Sequence, residues 1–133
     1  MKLNPDYVRY CLIWLEENLN YGNEVMSGIM TNKIIEKYDL DNSTKDSILY
    51  AIKQLHDSHM IQAKPLTELS SNQHYVIFDI TPAGHEFLAD IRNDNVWEKV
   101  KEKGKELGVS SLKSLMTIAE RVVSTIIISN IGS

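Results

Sequence analysis

Apolar residues recur at helical spacing from the start of the chain. After Asn4 and Pro5, the residues Val8, Cys11, Leu12, Leu15 and Leu19 fall on one stripe. A first helix is therefore expected from Pro5 to about Asn20, capped by Asn4 and begun by a proline whose missing N–H costs nothing in a first turn. Tyr21-Gly22-Asn23 ends it, and Ser27 to Met30 reads as a short extended piece. Thr31 can cap a second short helix through Tyr38, with Ile34 and Ile35 inward. Asp39 to Asn42 is a turn of residues that bond their own backbone. Asn42 or Ser43 then caps a third helix, to about Ser58, that buries Ile48, Ile52 and Leu55.

Two strand-like runs follow. Ile61 to Pro65 places Ile61 and Ala63 on one face, and in His74 to Ile80 the residues Val76, Phe78 and Ile80 alternate with Tyr75, Ile77 and Asp79. The connecting Leu66 to Gln73 is too long for a tight hairpin and reads as a wing. Thr81-Pro82 repeats the cap-plus-proline signal and opens a helix carrying Phe87, Leu88 and Ile91. Thr81 caps it, Gly84 lets it approach the sheet, and Leu88 lies one turn later on the same face. A further helix runs from a cap at Asp94 to Leu107, where Gly108 stops it, and a last one starts at Ser110 and reaches about Ile131. The expected architecture is mostly α with a small β-wing: a winged helix-turn-helix domain in residues 1–92, followed by two C-terminal helices in residues 93–133.

The run Tyr75-Val76-Ile77-Phe78-Asp79-Ile80-Thr81-Pro82-Ala83-Gly84-His85-Glu86-Phe87-Leu88 resembles the strand–Thr-x-x-Gly-x-x-x-Leu corner that follows the wing in bacterial winged-helix regulators. The longer stretch from Thr81 through Gly84-His85-Glu86-Phe87-Leu88 to Ile91-Arg92-Asn93-Asp94-Asn95-Val96-Trp97 resembles a family of phage- and prophage-borne proteins, domain of unknown function 2513. It is more distantly similar to the small YjcQ-type proteins. The close resemblance covers about residues 78 to 120. It implies a winged-helix fold and a mobile-element origin, and it implies no activity.

Composition narrows the function classes. A hydrophobic fraction of 43% in 133 residues supports a real core, and no stretch approaches the roughly 18 apolar residues of a membrane span. The start Met1-Lys2-Leu3-Asn4-Pro5 has no signal-peptide run, and a lone Cys11 makes no internal disulfide, so a cytoplasmic protein without a membrane partner is expected. His85-Glu86 lacks the second histidine of a zinc-binding H-E-x-x-H helix, since position 89 is Ala89. His85 instead reads as partly buried beside Phe87 or Trp97. His56 and His59 have no third ligand at suitable spacing. Cys11 belongs to the apolar stripe. With no nucleophile motif or phosphate loop either, no catalytic, cofactor or metal site is expected.

What remains is binding. With Ile48, Ile52 and Leu55 inward, the third helix points Ser43, Asp46, Ser47, Tyr50, Lys53, Gln54 and Asp57 outward. In a winged helix this is the helix that reads the major groove of double-stranded DNA. Gln54 suits adenine, and Lys53 suits guanine or phosphate; Ser43, Ser47 and Tyr50 suit phosphates, with Lys45 and Lys64 adding charge. The charge balance opposes a tight DNA reader. Residues 1–92 hold eight Lys and Arg against thirteen Asp and Glu, a balance of −5, whereas residues 93–133 carry +1. Most duplex affinity comes from phosphate neutralisation. DNA binding is the first expectation, and a protein-interaction adaptor that uses the fold without DNA is the alternative.

Three further features bear on partners. Tyr7, Tyr10 and Trp14 form a second stripe on the first helix, either an interaction patch or packing under the C-terminal helices. Lys99, Lys101, Lys103 and Lys105 alternate with glutamates and read as a solvated face. On the last helix Leu112, Leu115, Met116, Ile118, Ala119, Val122, Val123, Ile126 and Ile127 span about half the helical wheel, wider than a surface helix needs. Leu112, Leu115, Met116, Ala119, Val122, Val123, Ile126 and Ile127 are the candidate interface of a homodimer.

Overall fold

The elements form in the order α1 (Pro5–Asn18), β1 (Ile29–Met30), α2 (Thr31–Glu36), α3 (Asn42–Asp57), β2 (Ile61–Leu66), β3 (His74–Ile80), α4 (Pro82–Ile91), α5 (Asp94–Leu107) and α6 (Leu112–Ile131). The structure, a computed structural model, describes residues 2–19, 28–36, 41–66, 74–109 and 111–131. The expected breaks at Tyr21–Asn23, the first half of the Asp39–Asn42 turn, the wing tip at 67–73 and the expected boundaries at Asn20, Ser27, Tyr38 and Ser110 lie outside the described residues. The strands make one antiparallel sheet in the order β1-β3-β2. The chain is thus mostly helical with a small three-stranded sheet, in the element order of a winged helix-turn-helix, and α5 and α6 follow it.

Local chemistry explains most boundaries. The Asn4 side chain accepts from the Asp6 N–H, with Pro5 in the first turn, and the Thr81 side chain accepts from the Gly84 N–H. Gly108 closes α5 at φ +67°, a left-handed conformation that favours glycine. Three expected caps move. Asp41, not Asn42 or Ser43, caps α3 by accepting from Thr44, and Asn93, not Asp94, caps α5 by accepting from Asn95 and Val96. Each cap sits in a run of cap-forming residues, so the burial of the following stripe selects which one starts the helix. Thr31 is buried within α2 rather than capping it. Its hydroxyl is 2.9 Å from His74 Nδ1 and accepts from the Tyr75 N–H, which ties α2 to β3.

The alternation expected along β3 changes phase. Gln62 pairs with Asp79 but Ala63 pairs with Ile77, leaving Phe78 as an extra residue on β3. This bulge turns Tyr75, Ile77 and Ile80 inward, whereas Val76 and Phe78 stay half-buried. Ile80 therefore joins Met60, Ile61 and Phe87 in the core beneath α4.

The core does not stop at residue 92. Trp97, Val100, Leu112, Leu115, Ile118 and Ala119 belong to the same apolar cluster as Leu12, Ile52 and Leu88. The junction is polar at its rim. Arg9 donates to the carbonyls of Ile91 (2.9 Å) and Arg92 (2.7 Å) and to Asp94 Oδ1 (2.7 Å). The indole N–H of Trp97 donates to Asp6 (2.9 Å), which also holds Lys101 Nζ at 3.0 Å. Arg9 and Lys101 both lie near the Trp97 ring, 5.9 and 5.7 Å from its centroid. Arg92 and Glu16 pair at the other end of α1.

Two predictions follow from this packing. A Cβ at Gly84 would stand 2.2 Å from the Met60 carbonyl oxygen and 2.7 Å from the Ile80 side chain. Gly84→Ala should therefore cost about 3 kcal/mol, the upper end of the usual overpacking cost. Thr81→Ala should cost about 1 kcal/mol through the lost cap. Urea unfolding reads both, and an unchanged midpoint for Gly84→Ala would contradict the close approach. The second concerns Asp6. Burial acts to raise its pKa, but the hydrogen bonds from Trp97 and Lys101 and the charges of Lys101 and Arg9 outweigh that and hold it below the ordinary value. A carboxylate with a depressed folded pKa contributes stability above its unfolded pKa and loses it as pH falls through the folded value. The stability gap between wild type and Asp6→Asn should be wide near neutrality and close in acid. A gap that does not change with pH would show that Asp6 acts through shape alone.

Candidate functional site

Helix α3 is placed by its buried face. Ile48, Ala51, Ile52 and Leu55 pack into the core, which leaves the opposite arc to solvent. Ser43, Asp46 and Asp57 are exposed, and Ser47, Tyr50, Lys53 and Gln54 are half-buried. The arc thus brings together most of the expected duplex-facing residues. Not all are equally free. The Ser47 hydroxyl donates to the Ser43 carbonyl at 3.0 Å, and Lys53 Nζ lies 2.6 Å from Asp57 Oδ2. The Lys53 hydrogen bond lowers the Asp57 pKa, and the same bond raises that of Lys53. The one cation in the middle of the face is therefore already paired.

The flanking cations are separated from it. Lys45 lies on the α2 side, where with Ile35, Asn42, Asp46, Leu49 and His74 it lines a shallow hollow of about 470 Å³. Lys64 is exposed on β2, opposite Val76 of β3. His56 lies against Tyr75 with ring centroids 4.9 Å apart and the planes tilted by 42°, and its Nδ1 lies 3.3 Å from Asp57. His59 turns away at φ +59°, in the tight corner between α3 and β2. Among the described residues, no three His, Cys, Asp or Glu side chains gather as a metal site would require. His85 is exposed rather than packed beside Phe87 or Trp97, because Phe87 turns into the core from the opposite side of α4.

The C-terminal helices divide the expected interface. Leu112, Leu115 and Ala119 are buried inside the chain, with Ile118, against α5 and α4. They are not available as a surface contact. Met116 and Val122 pack on the edge of the core, and Val123 and Ile126 are half-buried. Only the distal turn is fully open, with Ile127 at 50% and Ile128 at 69% exposure. Tyr7, Tyr10 and Trp14 are half-buried and pack against the core.

Lys99, Lys103 and Lys105 of α5 are exposed, as a solvated face has them, and Lys101 is half-buried. Lys101 reaches Asp6 and Glu98, whereas Lys99 and Lys103, one turn apart, line a groove against α6. Sequence reasoning missed this split and the Asp6–Trp97 bond, which joins residues 91 positions apart. The signal for the groove was present, since Lys99 and Lys103 are spaced i, i+4. What it faced depended on where α6 lay.

The chain belongs to the family described as "Hypothetical protein (DUF2513)", whose model matches residues 2–110. It is similar to an "Uncharacterized protein" of Haemophilus influenzae (strain ATCC 51907 / DSM 11121 / KW20 / Rd), 29% identical over 126 residues, covering 93% of this chain and 97% of the relative. No solved structure matches. Among the described residues no helix is long and apolar enough to cross a membrane.

Burial pushes the Cys11 thiol up to about 12. The thiolate is the reactive form. Cys11 should therefore resist a disulfide thiol reagent in the native chain near neutral pH and react fully in concentrated urea. Rapid native reaction would mean that α1 opens from the core.

Proposed function

We propose that the chain is a non-enzymatic winged-helix binding protein of the transcription-regulator type, which engages double-stranded DNA with modest affinity through α3. The observation that carries this reading is the outward arc of α3. It presents Ser43, Ser47, Tyr50, Lys53 and Gln54 together, with Lys64 on the neighbouring strand. Gln54 has the donor–acceptor pair that adenine offers a partner for, and the hydroxyls suit phosphate oxygens. A cytoplasmic, phage- or prophage-borne setting and a homodimer belong to the same reading. Dimeric helix-turn-helix proteins bind paired half-sites. Here the pairing would use Val123, Ile127 and Ile128 on the distal part of α6, which the rest of the chain leaves half or fully exposed.

A second reading has its own support. The Lys53–Asp57 pair, with Asp46 exposed two turns earlier on the same helix, leaves the arc without net positive charge. That favours an adaptor which uses the fold to hold a protein. Phosphate contacts make duplex binding fall steeply with salt, so titration separates the two readings. A labelled random-sequence duplex should bind weakly at about 50 mM salt and be largely released by about 200 mM. Asp57→Asn frees Lys53 and should tighten low-salt binding several-fold, and Asp46→Lys with Asp57→Lys should tighten it further. No binding by any of these proteins at low salt would overturn the DNA reading and leave the adaptor.

A further inference from the structure

The groove between α5 and α6 combines an apolar floor with a one-signed rim. Its volume is about 670 Å³, and Leu107, Val109, Ile118, Val122 and Ile126 supply the apolar surface. Every charged residue lining it is a cation: Lys99 and Lys103 on α5, Lys113 and Arg121 on α6. This occurs in a chain of net charge −4. Lys103 has a distant partner in Glu106 at 3.5 Å, whereas Lys99, Lys113 and Arg121 make no ion pair among the described residues. The Thr117 and Thr125 hydroxyls donate back to the carbonyls of Lys113 and Arg121, so they need no bond from an occupant. Leu107 stands 60% exposed at one end.

We propose that this groove is a docking site for an acidic amphipathic helix of a partner protein. The short connection from Gly108 to Ser111 makes α5 and α6 antiparallel neighbours, and a third helix laid between them would complete a three-helix layer. The rim fits a helix better than a single anionic headgroup. Lys99 and Lys103 are one turn apart, and Lys113 and Arg121 are two turns apart on the facing wall, so carboxylates repeating every turn along both flanks of an occupant find partners on each side. From Ser114 to Ile126 the wall runs about 18 Å at 1.5 Å per residue, enough for a helix of roughly twelve residues. A second copy laid groove to groove across a two-fold axis is disfavoured, because it would set the four cations against the same four. The site is separate from α3, so it holds whether or not the chain binds DNA.

The probe is a labelled synthetic helix with leucines at i, i+3, i+4 and i+7 and glutamates on both flanks, beside the same peptide with lysines in place of the glutamates. Fluorescence anisotropy with the full chain should show the glutamate peptide binding at least about tenfold more tightly than the lysine peptide, and weakening with salt. Lys99→Glu with Arg121→Glu, both on exposed side chains, should lose about tenfold for the glutamate peptide and gain for the lysine peptide. A helical content unchanged by circular dichroism would confirm that this variant folds. Equal binding of the two peptides, binding indifferent to the charge reversal, or no binding at high micromolar peptide would each overturn the proposal. Self-association of the wild type that Arg121→Glu abolishes would assign the groove to a second copy and overturn it too.

Discussion

Arg9 lies where three elements meet. From α1 it donates to the carbonyl of Ile91, the last residue of α4, to that of Arg92 just beyond it and to the first residue of α5, and its guanidinium lies near the Trp97 ring. The ends of helices leave carbonyls without intrahelical partners, and a guanidinium can satisfy two such groups and a carboxylate at once. This contact makes the turn between α4 and α5 a fixed angle rather than a loose joint. Because α5 leaves in that direction, Trp97 and Val100 reach the core, α6 can fold back over α4 and α5, and the groove between the last two helices acquires its floor. Charge-assisted bonds to a partly buried arginine are among the stronger local interactions, and here three of them act on one side chain.

A second constraint fixes the other side of the domain. Thr81 bonds the carbonyls of both His59 and Met60, and Gly84 sits against Met60 with no room for a side chain. The corner that ends α3 is thereby held to the corner that begins α4. The orientation of α3, and so of its outward arc, is set by this clamp and by the bulge at Phe78 that brings Ile80 under it. The two constraints explain why one apolar cluster runs from α1 to α6. They also explain why the two candidate binding surfaces, the α3 arc and the α5–α6 groove, are built on one frame.

Much of this was legible along the chain. The stripe of α1, the Thr81–Leu88 corner and the stop at Gly108 follow from local rules, because cap, proline and glycine act within a few residues. The caps of α3 and α5 did not resolve, since Asp41-Asn42-Ser43 and Asn93-Asp94 offer adjacent residues of similar chemistry. Along β3 the alternation holds as far as Phe78 and only Ile80 changes side, because period-two alternation carries no sign of an inserted residue. The α3 arc was readable from helical periodicity, but the Lys53–Asp57 pairing needed rotamers. The groove was not readable. Interleaved lysines and glutamates look solvated until α6 is placed beside two of them, and the apolar arc of α6 looks wider than a monomer needs until half of it is buried on α4 and α5.

Locked by Arg9, Asp6 and Trp97, α5 and α6 should open with the helices and sheet before them as one cooperative unit. Native-state hydrogen exchange tests it most directly, because it reads the opening free energy of each element separately. Core amides of α5 and α6, such as those of Val100 and Ala119, should open within about 1 kcal/mol of those of Ile52 in α3 and Ile77 in β3. Exchange from α5 and α6 through a distinctly lower-energy opening, with α3 and β3 still protected, would show a separate appendage and contradict it.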